Sequence, residues 1–243
     1  MIQLSTSLSE ADALSAELAS LKAGDRLRVL HERYGSRLVA TTSFGIQAVV
    51  MLHLIHEHAP EIPVVFIDTG YLFDETYRYI DEVTKRFPKL DLRVYQPALT
   101  AARMEALYGK LWEQGKEGNE RYGLITKVEP MDRALKEIGG DVWLSGVRRS
   151  HSRSRADRSF AEQQKKTLKV YPILDWADAQ VNIYMNQHAL PPHPLAAQGY
   201  VTMGDWHSTA PAEEGQDAES TRFNGEKYEC GLHLDSGVSD FQI

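Results

Sequence analysis

Ile62-Pro63-Val64-Val65-Phe66-Ile67-Asp68-Thr69-Gly70-Tyr71 runs from a nearly pure apolar stretch into a polar turn. A strand from Ile62 to Ile67 with no polar alternation is the kind buried on both faces of a parallel sheet. The segments around it repeat the theme. Leu38 to Thr42, Leu92 to Tyr95, Val142 to Val147 and Lys169 to Leu174 read as strands. Ile46 to Glu57, Phe73 to Phe87, Met131 to Ile138 and Ala177 to Leu190 read as helices, with Pro88, Gly139-Gly140 and Pro191-Pro192 as stops. Strands alternating with helices predict βαβ units, a parallel α/β sheet and right-handed crossovers that place helices on both faces. Ligands of such sheets bind at the carboxyl ends of the strands.

Upstream, residues 8–34 read as two helices. Ser9 caps the first, which carries Leu14, Leu18 and Leu21; Gly24-Asp25 is read as the break, and Gly35 as the second stop. Downstream, 204–227 is polar, rich in glycine and acid, and is read as a mobile segment. The expected organisation is an N-terminal helical arm (1–35), an α/β domain (36–203) and a C-terminal segment (204–243).

The chain of 243 residues is 42% hydrophobic and 25% charged, enough apolar content for a full core. Its longest apolar stretch, Ile46 to Ile55, is interrupted by Gln47 and His53, so no membrane span is expected. The acidic, polar start has no leader pattern, and a cytoplasmic location is expected. A net charge of −7 argues against a nucleic-acid surface. The positive charge is concentrated, however: residues 148–158 hold five arginines in eleven positions. An acidic protein with one basic pocket suits a small polyanion such as a nucleotide.

Four constellations could carry chemistry. Thr41-Thr42-Ser43-Phe44-Gly45-Ile46-Gln47 follows a strand and opens a helix, so its backbone N–H groups can face a phosphate. It is neither a Walker loop nor G-x-G-x-x-G, and an ordinary strand–helix turn accounts for it equally well. Asp68 and Gly70 sit at the end of the second strand, where Asp68 can accept from a nucleoside donor or serve only as a turn residue. Arg148, Arg149 and Arg155 follow a further strand and can fork onto phosphate or sulfate oxygens.

The fourth is Cys230, the one cysteine. A single thiol closes no disulfide and holds no four-thiolate cluster or multi-cysteine zinc site within one chain. It can act as a nucleophile that an external reductant regenerates. Lys227 and His233 would lower its pKa, and Glu229 would raise it. His53, His56 and His58 have poor ligand spacing and no HExxH occurs, so no metal site is expected.

Six ordered stretches together resemble the assimilatory phosphoadenylyl-sulfate (PAPS) reductases. They are Thr42-Ser43-Phe44-Gly45-Ile46-Gln47, Asp68-Thr69-Gly70-Tyr71-Leu72-Phe73, Tyr108-Gly109-Lys110-Leu111-Trp112, Lys127-Val128-Glu129-Pro130-Met131, Gly146-Val147-Arg148-Arg149 and Glu229-Cys230-Gly231-Leu232-His233. The resemblance implies an adenine-nucleotide α-hydrolase-like fold. It implies that Cys230 attacks the sulfur of PAPS, giving a cysteine S-sulfonate and adenosine 3′,5′-bisphosphate, and that reduced thioredoxin or glutaredoxin then releases sulfite. It implies Ser43, Gly45 and Gln47 at the nucleotide, and Asp68 and Gly70 on the nucleoside side. Lys127, Arg148, Arg149 and Arg155 would neutralise phosphate and sulfate, while Arg222, Lys227 and His233 would accompany Cys230. A homodimer is the usual assembly. A sister branch that reduces adenylyl sulfate (APS) holds an iron–sulfur cluster on two cysteine pairs. Neither Glu120–Ile125 nor Gly204–Thr209 contains cysteine here, which points to the cluster-free PAPS branch. The competing readings are a cluster-free APS reductase, a pyrophosphatase or ATP-dependent ligase on the same fold, and a nucleotide-sensing module.

Overall fold

The computed structural model describes residues 9–151, 155–213 and 221. The chain opens with two helices, α1 (Glu10–Ala19) and α2 (Ala23–Tyr34), and then alternates. β1 (Leu38–Thr42), α3 (Ala48–His58), β2 (Val64–Ile67), α4 (Asp74–Arg86) and β3 (Leu92–Tyr95) follow in order. Next come α5 (Ala101–Tyr108), α6 (Gly115–Gly123) and α7 (Glu129–Ile138), the last two joined by a π-helical turn, Leu124–Val128. β4 (Val142–Ser145), β5 (Ala161–Gln163), β6 (Leu168–Val170) and α8 (Asp178–Gln187) complete the regular elements.

Among the described residues the six strands form one sheet in the order β3-β2-β1-β4-β6-β5. All neighbouring pairs are parallel except β5 and β6, which are antiparallel. The expected parallel sheet therefore carries one antiparallel edge strand. β5 was not anticipated, because Ala161-Glu162-Gln163 has no apolar pattern of its own.

Side chains alternate across the sheet. Leu38 and Ala40, Val64 and Phe66, and Val142 and Leu144 point to one face, into a core shared with α1, α2, α3, α4 and α8. Val39, Val65 and Trp143 point to the other face, against Met131 and Ala134 of α7. Helices thus cover both faces, as the uninterrupted apolar strands require. The N-terminal helices belong to the first of these cores: Leu14, Leu18, Leu27 and Leu30 are buried within it.

Three sequence expectations shift. The break between α1 and α2 falls at Ser20–Lys22 and not at Gly24-Asp25, which lie in the first turn of α2. Gly24 is there for close approach: a Cβ would sit 2.4 Å from the His58 imidazole. The last predicted strand is shorter, Leu168–Val170, and turns follow it. Residues 205–209, read from composition as part of the C-terminal segment, pack against the α/β body, with Asp205, Ser208 and Thr209 buried.

Candidate active site

From β1 the chain builds outward through β2 and β3, then returns to place β4 on the opposite side of β1. The loops leaving β1 and β4 therefore diverge, and a cleft opens at their carboxyl ends. A cavity of about 300 Å³ lies there, walled by the 43–47 loop, Ser145–Arg148, His151, Arg155, Lys127 and Val201–Asp205.

The first loop is shaped by Phe44. Its φ is 47°, in the left-handed region that a side chain rarely adopts. The strain is held by burial: Phe44 is 1% exposed and packs edge-on against Phe66 at 5.1 Å. Thr42 Oγ1 accepts from the Phe44 N–H at 3.1 Å. This turn brings Ser43, Gly45 and Gln47 to the cavity wall and starts α3 there. The positive end of the α3 dipole thereby meets the cleft.

The loop after β4 brings Arg148 to the same wall. Its guanidinium is 1% exposed and donates to Gln47 Oε1, to Asp178 Oδ1 at 2.8 Å and to the Trp176 carbonyl at 3.3 Å. His151 Nε2 is a further neighbour, at 3.1 Å from Gln47 Oε1. Burial and then the Arg148 charge lower the His151 pKa to about 4, so the imidazole is neutral near pH 7. Burial alone would raise the Asp178 carboxyl, but its bond and charge interaction with Arg148 hold it below the ordinary value.

Lys127 enters from the π-helical turn between α6 and α7. Such turns shift the side-chain register of a helix and recur at functional sites. Its Nζ lies 2.6 Å from Asp205 Oδ2, and Thr69 Oγ1 donates to Asp205 Oδ1. Beside this group, His207 stacks on Trp112 with ring centroids 4.1 Å apart, next to Tyr71 and Tyr122.

A family model described as the phosphoadenosine phosphosulfate reductase domain matches residues 37–211. The chain belongs to the phosphoadenosine phosphosulfate reductase family. It is 49% identical over 224 residues to a phosphoadenosine 5′-phosphosulfate reductase from Alkalilimnicola ehrlichii, covering 92% of this chain and 91% of that one. A namesake from Synechococcus is 50% identical over 223 residues, covering 91% and 96%. Among solved structures, the phosphoadenylyl-sulfate reductase from Candida auris in a phosphate complex superposes with a TM-score of 0.74 at 31% identity, covering 84% of this chain and 98% of that one. The FMN adenylyltransferase of Candida glabrata, at a TM-score of 0.59 and 14% identity over 87% of this chain and 70% of that one, shares the fold.

The cleft of this family member gathers Ser43, Gly45, Gln47, Lys127, Arg148 and Arg155 of the residues picked out from sequence. It does not gather Arg149, whose guanidinium turns away to donate to the Arg158 carbonyl at 3.0 and 2.9 Å and lies over the Phe160 ring. Asp68 and Gly70 sit at the end of β2 but outside the cavity wall. Asp68 accepts from the Gly70 N–H at 2.9 Å, from Tyr77 at 2.7 Å and from Gln96 at 3.2 Å, and Gly70 takes a φ of 78° that suits glycine. Cys230, Lys227, His233 and Arg222 lie outside the described residues.

Sequence reasoning missed Thr69, His151 and Asp205 as members of the cleft wall. Thr69 and His151 stood inside stretches already singled out. Asp205 carried no local signal beyond a lone acid in a polar run. Among the described residues no group of three or more His, Cys, Asp or Glu is placed to hold a metal ion, and no helix is long and apolar enough to cross a membrane.

Proposed function

We propose that this chain reduces PAPS to sulfite and adenosine 3′,5′-bisphosphate, with Cys230 as the nucleophile. What supports the reading is the convergence of the α3 N-terminus with Lys127, Arg148 and Arg155 on one cleft at the β1–β4 divide. That is the electrostatics a phosphosulfate and its leaving group require.

The Cys230 thiolate attacks the sulfate sulfur. An S–S bond forms, the bridging S–O bond breaks, and its electron pair leaves on the phosphate oxygen of adenosine 3′,5′-bisphosphate. Fixed cations beside that oxygen stabilise the charge as it develops. Cys230 then carries an S-sulfonate. A thiolate of reduced thioredoxin or glutaredoxin attacks the Cys230 sulfur and expels sulfite. Its second thiol closes the reductant's disulfide and returns the Cys230 thiolate, so the two electrons come from the dithiol. The reading includes a homodimer and a cytoplasmic location, the first checked by light scattering and the second by fractionation.

The experiment that tests it is sulfite release with reduced thioredoxin, comparing PAPS and APS at equal concentrations. A large preference for PAPS is expected. A preference for APS keeps the cysteine chemistry and moves the chain to the cluster-free APS reading. No sulfite from either, with folded protein, sinks the reductase reading in favour of a nucleotide-binding module.

A further inference from the structure

Three acceptors compete for one nitrogen at the cleft wall. Arg148 Nη2 carries two hydrogens, yet Gln47 Oε1, His151 Nε2 and Asp178 Oδ1 all lie within reach of it, the last at 2.8 Å. Arg148 Nη1 is engaged elsewhere, facing the Trp176 carbonyl and Ser150 Oγ, both at 3.3 Å. Among these described groups the cluster is one hydrogen short. Of the three acceptors, only the imidazole can supply one near neutral pH. A proton on His151 Nε2 turns it from acceptor to donor, and Gln47 Oε1 is 3.1 Å away to receive it. Arg148 then keeps one hydrogen for Gln47 and one for Asp178.

By itself the cleft opposes that proton. The charged groups that act on His151 among the described residues are Arg148 on the loop after β4, Arg155 further along it, and Asp178 at the start of α8. The arginines disfavour another positive charge, and Asp178 favours one. α3 faces the imidazole with uncharged Gln47 and the positive end of its dipole. Burial is the largest effect and acts with the arginines, so the pKa lies at about 4.

A phosphate reverses this balance. His151 shares the wall of one cavity with Ser43, Gly45, Gln47, Arg148 and Arg155, so an anion bound there lies beside the imidazole. One negative charge at about 4 Å in partly buried surroundings raises a neighbouring pKa by about 3. A phosphate monoester carries nearly two such charges.

We propose that His151 binds a phosphate of the nucleotide and takes up a proton from water as it does so. The proposal rests on the PAPS-reductase reading above and adds to it a proton that arrives with the nucleotide. Affinity then falls as pH rises above neutrality. The nucleotide's own phosphates act in the opposite sense, since they favour binding as they lose protons.

The test is calorimetric titration of the full chain with adenosine 3′,5′-bisphosphate at pH 7.5, in buffers of different ionisation enthalpy. The slope of observed heat against buffer enthalpy counts the protons taken up. Phosphate monoesters have a second pKa of about 6 and are already ionised at this pH, so uptake belongs to the protein. Wild type is expected to take up about 0.5–1 proton per nucleotide, with Kd rising about 3- to 10-fold from pH 7 to pH 8. His151→Gln is expected to take up less than about 0.2 proton, with Kd changing less than about twofold over the same range. Should the variant not fold, NMR of the His151 imidazole in the wild-type chain decides: it gains a proton on saturation with the nucleotide at pH 7.5. No uptake by wild type overturns the proposal. So does equal uptake in His151→Gln, which places the proton elsewhere. Absence of nucleotide binding at any pH overturns the reductase reading as well, whereas binding without uptake overturns this proposal alone.

Discussion

Arg26 of α2 forks onto both carboxylate oxygens of Asp175, at 2.7 and 2.8 Å, across 149 positions of sequence. The guanidinium also donates to the Leu18 carbonyl at 2.8 Å and the Pro172 carbonyl at 2.7 Å, and lies 4.2 Å over the Phe160 ring. One buried cation thus joins both N-terminal helices to the turn that precedes α8.

Replacing Arg26 with Met leaves the Pro172 carbonyl and the Asp175 carboxylate without this donor, while the Leu18 carbonyl keeps the Leu21 N–H at 3.1 Å. Breaking a buried pair costs about 3–5 kcal/mol, and the lower end is expected because the Asp175 side chain is 42% exposed and can be hydrated. Burial raises the Asp175 pKa, but the bond and charge of Arg26 outweigh it and hold it below 3.8. Its contribution is therefore present above that ordinary value and is lost as pH falls through the lowered one. Urea titrations at pH 7 and pH 3 check both parts. The gap between wild type and Arg26→Met narrows at the lower pH.

Arg148 and Arg149 are neighbours with opposite expectations. Arg148→Lys removes the planar fork at the cavity wall, so nucleotide affinity falls about 10- to 100-fold. Arg149→Gln leaves affinity unchanged and costs roughly 1–2 kcal/mol of stability, through the lost bonds to the Arg158 carbonyl and the Phe160 contact. Calorimetric titration with adenosine 3′,5′-bisphosphate and a thermal melt separate the two. Equal losses of affinity would contradict the geometry.

For Cys230→Ser, sulfite release is expected to drop to background while nucleotide affinity changes less than about threefold. Steady-state turnover and equilibrium binding are read on the same preparation. Unchanged turnover removes Cys230 as the nucleophile.

His193 is 1% exposed, with Nδ1 accepting from the Leu195 N–H at 3.2 Å and Nε2 at 3.1 Å from Thr76 Oγ1. Burial lowers its pKa from 6.5 to about 4. The folded state therefore favours neutral imidazole, and this contribution is full above 6.5 and lost as pH falls toward 4. His193→Gln is expected to lose less stability than wild type between pH 7 and pH 4.5, by roughly 2 kcal/mol. Denaturation midpoints at the two pH values test this. His53 and His151, also lowered to about 4, titrate in the same window and keep a residual slope in the variant.

Much of the fold was legible where the chain states its environment locally. β1 and β3 run Leu38–Thr42 and Leu92–Tyr95, as their apolar and β-branched content predicts. α6 and the turn after it were not legible, because Gly115, Gly118 and Gly123 carry little helix propensity and the stretch has no clear period. Gly118 is required by packing: a Cβ there would lie 2.1 Å from the Leu111 carbonyl oxygen. A glycine demanded by a close neighbour reads in sequence like a glycine that ends a helix, and Gly24 was misplaced for the same reason.

The sequence by itself determined the alternation of strands and helices, the two loops that meet at the cleft, and the single thiol available for chemistry. These follow from periodicity, from turn residues at strand ends and from a count, all of which are local. Only the tertiary structure decided that Arg148 enters the cleft while Arg149 leaves it. Successive residues of a loop point in different directions, and the packing of Phe160 and the Arg158 carbonyl selects between them. It alone paired Lys127 with Asp205 and Arg26 with Asp175. The attraction between such charges is set by distance and burial, and neither exists until the sheet has ordered its strands.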